Sequence, residues 1–250
     1  MSAVLAPKSS VSPAEWALRV QLAGAYRVAD HLGWAELIYT HISARVPGPE
    51  HHFLINPYGL RFDEVTASSL VKVNHHGETV GQQEYSANKA GFIIHSAIHM
   101  ARDDAQCVWH MHTLPGMPVS AQEDGLLPVH MYSHNFWNRL SYHDFEGPSM
   151  RLDERNRLVK SLGSQSSLIL RNHGLLTLGR TIAEAFIRFW RLNRACEIQL
   201  AAQAAKLRLP SPEVCEASFQ MGEEFLTDQA DLGQLEFDSI LRKLDDSYKN

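Results

Sequence analysis

The chain has 250 residues, of which 44% are hydrophobic and 20% charged, with a formal net charge of −5. That is enough apolar material for one large domain or two small ones, and the acidic balance argues against binding nucleic acid through phosphate neutralisation. No apolar run is long enough to cross a bilayer, and Met1 to Ser12 lacks the basic start and apolar centre of a signal peptide, so 1–12 reads as a flexible arm and the protein as cytoplasmic.

Ser12-Pro13-Ala14-Glu15 combines a capping serine, a proline at the first helical position and a glutamate three residues after the cap. Leu18, Leu22, Ala25, Val28, Ala29 and Leu32 follow at helical spacing, and Gly33 ends the run. Strands are expected over 38–46 and 52–56, then a hairpin over 70–80 turning near Gly77. Lys89 to Ala101 reads as a largely apolar helix and Gln106 to His112 as a short strand. A polar helix over 153–162, stopped by Gly163, precedes strands at 167–171 and 175–178. Thr181-Ile182-Ala183-Glu184 is a second capping box, opening a helix that runs to about Leu207. Pro210 and Pro212 break it, and a helical segment from about 211 covers much of the C-terminus. Helices and strands alternate irregularly, with no repeat or linker, which indicates one α/β domain over 13–250. Cys107, Cys196 and Cys215 are odd in number and lack CxxC spacing, as expected in a reducing compartment.

Histidine is the unusual count, at 14. His110 and His112 stand at i and i+2, on one face of a strand, where two imidazoles can grip one ion. Alone, this spacing is a weak signal. His173, in Arg171-Asn172-His173-Gly174-Leu175, follows a buried strand, and the glycine points to a turn or a close backbone approach. By itself it reads as a turn histidine; joined to the other two it completes a metal site with open positions for water or substrate. His95 and His99 share a helix face, where packing and hydrogen bonding outweigh metal binding. His130 and His134 flank Tyr132, either at a pocket mouth or in an exposed loop. His51-His52 and His75-His76 adjoin turns and read as solvated.

Several segments in order resemble the class II aldolase/adducin family, from about Glu15 to Lys206. They are Thr40-His41-Ile42-Ser43-Ala44-Arg45, Ile55-Asn56-Pro57-Tyr58-Gly59, Thr66 to Leu70, His95 to Ile98, Val108 to Thr113, Leu170 to Leu175, and the helix carrying Ala195-Cys196-Glu197. The resemblance implies a three-layer α/β/α domain with a central mixed, largely antiparallel sheet. It also implies a homotetramer with active sites between subunits. It places one divalent metal ion, zinc before iron, manganese or cobalt, on His110, His112 and His173. It aligns Tyr132 with a tyrosine that reaches the substrate.

Two departures narrow the chemistry. The sugar-phosphate aldolases carry an acid/base glutamate where this chain has Gly91. Their phosphate-cradling positions fall here on Thr40-His41, Lys89-Ala90 and Gly59 after Tyr58. The pattern is similar to the adducin-like branch, with the histidine triad retained. It implies a metal-dependent lyase, retro-aldol or decarboxylase, acting on a small and non-phosphorylated hydroxy/keto or carboxylated substrate. Glu84, His130, His134 and Tyr132 are the candidates for proton transfer, and His41, Tyr58, Gly59 and Lys89 for substrate binding. A carboxylate or histidine beside Gly91 would supply the missing base. A non-haem iron oxygenase and a non-catalytic, adducin-like assembly module retaining a metal are the competing readings. None of the three involves nucleic acid or a membrane.

Overall fold

The computed structural model describes residues 10–81, 85–147, 152–227 and 231–250. Helix α1 (Pro13–His31) begins where its signals place it: the Ser12 hydroxyl accepts the Glu15 amide at 3.1 Å. The Glu15 carboxylate serves another purpose. It binds Arg19 at 3.0 Å and Lys72 at 2.8 Å, tying the helix to the sheet. Gly33, with φ of 71°, turns the chain just past the helix end.

Seven strands form one sheet in the order β3-β2-β1-β4-β7-β6-β5. They are β1 (His41–Arg45), β2 (Phe53–Ile55), β3 (Val71–Val73), β4 (Cys107–Met111), β5 (Ser141–His143), β6 (Ser167–Leu170) and β7 (Gly174–Gly179). Every pairing is antiparallel except β5 with β6, so the sheet is mixed and largely antiparallel. β1 starts later than expected because Leu37 and Thr40 adopt left-handed φ values of 51° and 67°, which a strand cannot continue through. The expected hairpin at 70–80 is reduced to β3 and a single bridge between Val73 and Thr79.

Helices α2 (Lys89–Ala101) and α5 (Glu154–Leu162) cover one face of the sheet. Ile94, Ile98, Leu158 and Leu162 pack there on Val108, Leu168, Leu170, Leu176 and Leu178. The opposite face is covered by α1 and α6 (Ile182–Ala202). Trp34, Trp109, Phe186 and Phe189 meet on that side with ring centroids 5.2–6.4 Å apart, anchoring β4. The result is the α/β/α arrangement expected from the sequence. Short helices α3 (Gly116–Ser120) and α4 (Met131–His134) lie in the crossover after β4; α7 (Pro212–Thr227) and α8 (Gln234–Leu241) close the chain. α6 stops at Ala202, short of the expected Leu207. Residues 203–206 are exposed, and helix propensity without a buried face does not extend a helix. All three cysteines are buried free thiols.

Candidate metal centre

The outer end of β4 carries the centre of the site. His110 pairs across the sheet with His41 on β1 and Leu176 on β7. Strand alternation turns Trp109 to the aromatic core and His110 to the α2 face. His110 Nδ1 lies 3.0 Å from the Leu175 carbonyl oxygen. A carbonyl can only accept, so Nδ1 carries the proton and Nε2 keeps a free lone pair. His112 stands just beyond the strand end, with Nδ1 2.7 Å from a carboxylate oxygen of Glu36. The same logic leaves its Nε2 bare, 3.2 Å from His110 Nε2. Two lone pairs facing each other at this distance repel unless a cation or proton lies between them.

His173 reaches the pair from the turn joining β6 and β7. Asn172, not the glycine, takes the left-handed conformation there, with φ of 55°. Gly174 serves the close approach: a Cβ on it would lie 2.7 Å from the Met111 carbonyl oxygen and 3.0 Å from His112 Cδ2. The three rings converge with centroids 4.7–4.9 Å apart. One ring nitrogen from each lies within 4.8 Å of the others.

The donor set suits a transition-metal ion. Burial and the neighbouring imidazoles hold His110 well below its ordinary range and lower His173 to about 4. Three imidazole nitrogens, with His110 and His173 held neutral by their surroundings, form a donor set that matches zinc and its neighbours rather than magnesium or calcium.

Beside the triad sits His41, 5% exposed, its pKa lowered to about 3, first by burial and then by His112 and His173. Neither of its ring nitrogens has a hydrogen-bond partner among the described residues. Its ring stacks on His110 at 6.3 Å and meets His95 edge-on at 5.7 Å. It also fills the room next to Gly91: a Cβ at 91 would lie 2.5 Å from His41 Cδ2 and 2.7 Å from Nε2. His95 and His99 are engaged in hydrogen bonds. Both contact the Ser43 hydroxyl, at 2.5 and 2.7 Å, and His99 Nδ1 lies 2.8 Å from the Ala105 carbonyl.

Other residues singled out in the sequence lie elsewhere in the chain. His130 caps α4, its Nδ1 facing the Tyr132 amide at 3.5 Å. Tyr132 stands edge-on to Trp190 at 5.3 Å, and His134 Nδ1 meets the Ser218 hydroxyl at 3.1 Å. Among the described residues, the hydrogen bonds and ring contacts of these three do not involve the triad. Tyr58 is half exposed and borders an open cleft with Ser86, Ala87 and Asn88, while Gly59 has φ of 104°. Lys89 opens α2, but its side chain lies outside the described residues, as does Glu84.

Glu36 escaped the sequence reading. It sits 76 residues from His112, and no local pattern links the two. Phe145 was missed too; its ring faces His173 edge-on at 6.3 Å. Leu37, Leu114 and Phe145, each near a residue of the site in the chain or in space, are 72%, 82% and 52% exposed.

Comparison with known proteins places this geometry in context. Residues 20–200 match the profile described as the Class II Aldolase and Adducin N-terminal domain. A crystal structure of an aldolase II superfamily protein from Pseudomonas syringae superposes with a TM-score of 0.92 at 46% identity, covering 97% of this chain and 99% of that one. The L-fuculose 1-phosphate aldolase from Glaciozyma antarctica superposes with a TM-score of 0.80 at 29% identity, covering 92% and 88%. Rat alpha-adducin is 41% identical over 248 residues, 91% of this chain but 33% of the adducin.

Proposed function

This chain belongs to the class II aldolase and adducin family, and from that premise we propose that it is a metal-dependent lyase of retro-aldol or decarboxylase type. Its substrate is a small, non-phosphorylated hydroxy/keto or carboxylated compound. The reading rests on one observation: three imidazoles present ring nitrogens within 4.8 Å of one another. His110, His112 and His173 hold a divalent ion, zinc first among those that suit the donors. When bound, such an ion polarises a substrate oxygen as a Lewis acid.

The chain's own residues supply the rest. The Leu175 carbonyl and the Glu36 carboxylate orient the rings of His110 and His112 and fix their tautomers. His41 is the group beside Gly91, and its two ring nitrogens, without a partner among the described residues, can exchange a hydrogen bond or a proton with a substrate seated against the triad. It takes precedence over Glu84, His130, His134 and Tyr132 as the proton-transfer group of its own chain. Its neighbours His95 and His110 are neutral, so a substrate hydroxyl or ketone suits this corner better than a phosphate.

The exposed apolar side chains of Leu37, Leu114 and Phe145 support a homotetramer in which a neighbouring subunit completes each site. Tyr132, whose ring packs edge-on against Trp190, is the residue such an arrangement would deliver. Three buried free thiols fit a cytoplasmic setting. The compact packing on both faces of the sheet supports one domain over 13–250.

Elemental analysis of protein purified without chelator tests the site. One transition-metal ion per chain is expected, lost on His110→Ala or His112→Ala. A metal-free wild type overturns the reading. Metal-loaded protein is then incubated with hydroxy-ketones and β-keto acids, and release of an aldehyde or carbon dioxide is followed. The similarity to alpha-adducin favours a second reading, a metal-bearing assembly module. That reading prevails if the loaded protein cleaves nothing and His110→Ala leaves its assembly unchanged.

A further inference from the structure

A second polar cavity, of about 240 Å³, lies between α4, the 164–167 segment, α6 and α7. It is remote from the triad. Ser167 opens β6 at the cavity, whereas His173 lies beyond the far end of that strand, about 10 Å away at the rise of a β-strand.

The wall of this cavity is cationic. Arg139, Arg188 and Arg191 all line it, and two of them are already neutralised: Arg188 pairs with Glu184 at 2.7 Å and Arg139 with Glu216 at 3.3 Å. Arg191 is different. It is partly buried, yet makes no hydrogen bond or ion pair among the described residues. Burial lowers its pKa, and the Glu236 and Glu223 carboxylates offset this only in part, without a direct bond to the guanidinium among the described residues. Glu223 is the acidic residue of the lining; it has interactions of its own and acts on Arg191 through its charge, without a hydrogen bond to it among the described residues.

Hydroxyl donors face the same space. Ser164, Ser166 and Ser167 line the cavity, and none of their side chains forms a hydrogen bond among the described residues. Ser167 is 4% exposed as a residue, and what remains open of it lines the cavity. A fixed guanidinium with several hydroxyl donors around a small polar void matches one ligand chemistry well: a tetrahedral oxyanion, whose oxygens accept from both donor types.

We propose that this cavity binds a phosphate group, as inorganic phosphate or as the headgroup of a small phosphate ester, with Arg191 as its charged anchor and Ser164, Ser166 and Ser167 as hydroxyl donors. The site is independent of the metal centre, and its occupancy does not depend on the lyase reading.

Calorimetric titration and thermal melts of the full-length chain, treated with EDTA and held at constant ionic strength with chloride, test the proposal. The probes are inorganic phosphate, glycerol phosphate and acetate. Phosphate or the ester is expected to bind and raise Tm, with acetate inert; binding of phosphate alone identifies free phosphate as the ligand. Arg191→Gln is expected to weaken Kd by about tenfold or more, the worth of a charge-assisted bond. Ser167→Ala is expected to weaken it severalfold, and His110→Ala to leave it unchanged. Absence of binding by both phosphate probes overturns the proposal, as does undiminished binding to Arg191→Gln or loss of binding in His110→Ala. If Arg191→Gln does not fold, Ser167→Ala decides: unchanged affinity in that variant overturns the site.

Discussion

The imidazole of His41 occupies the space that a side chain on Gly91 would need, with a Cβ at 91 falling 2.5 Å from His41 Cδ2. The two positions lie on β1 and α2 and constrain one another across the buried edge of the metal centre. Gly91→Ala is therefore expected to displace the ring and destabilise the fold by about 1–3 kcal/mol, the usual cost of overpacking. His41→Ala should relieve most of that cost, so a double-mutant cycle by urea denaturation will show strong coupling. Additive effects would mean that the ring moves aside freely. On the proposed function, His41→Ala alone lowers kcat while leaving metal content intact.

Metal removal should be felt in stability as well as activity. An ion bound to the folded state alone stabilises it by about 4 kcal/mol when free metal stands at a thousand times Kd. Zinc is thus expected to raise Tm of EDTA-treated wild type and to leave His110→Ala and His112→Ala unmoved. Equal shifts in wild type and variants would place the ion elsewhere.

Glu36 is expected to tune the site without touching the ion. Its carboxylate holds His112 Nδ1 at 2.7 Å. Removing such a partner typically weakens metal binding by about 10–100-fold. Competition titration against a zinc chelator should give that loss for Glu36→Ala. Glu36→Gln keeps an accepting oxygen but loses the charge, so an intermediate value is expected. An affinity equal to wild type in both variants would make the contact incidental.

Gly174 should tolerate no side chain. A Cβ there would press on the Met111 carbonyl at 2.7 Å, and backbone cannot swing away as a side chain can. Gly174→Ala must pry the start of β7 from the end of β4, where His173 and His112 meet. Lower Tm together with weaker zinc binding is the expected pair of results. Unchanged zinc affinity would show that the triad does not depend on this approach.

Acid should unfold the metal-free protein through its buried histidines. Burial lowers His99, which is not one of the triad, to about 3. An unfolded histidine takes up its proton near pH 6.5, while folded His99 does not until about pH 3. Its contribution to stability is complete above pH 6.5 and is lost progressively as pH falls towards 3. Within that window the slope is about 1.4 kcal/mol per pH unit for each such group. Urea midpoints between pH 7.5 and 5 should fall accordingly, and His99→Gln should flatten the slope by about one proton. An unchanged slope would show that His99 already titrates normally.

Much of the frame was legible in the chain itself. Ser12 with Pro13, and Thr181 with Glu184, mark helix starts because capping is decided within one turn. Gly163, with φ of 57°, marks a helix end for the same local reason. His110 and His112 declared a shared face because side-chain direction along an extended segment follows from spacing alone. His173 could be joined to them through the order of the surrounding family segments. Contacts made by distant segments were decided by the tertiary structure. Register between β1 and β4 sets His41 opposite His110, and helix α2 then leaves Gly91 as the residue that makes room for the ring. Glu36 meets His112 across 76 residues, and the cavity at Arg191 is walled by separate helices and a loop. Spacing governs neighbours on one element; which groups lose their water together is determined only when the sheet closes and the helices pack.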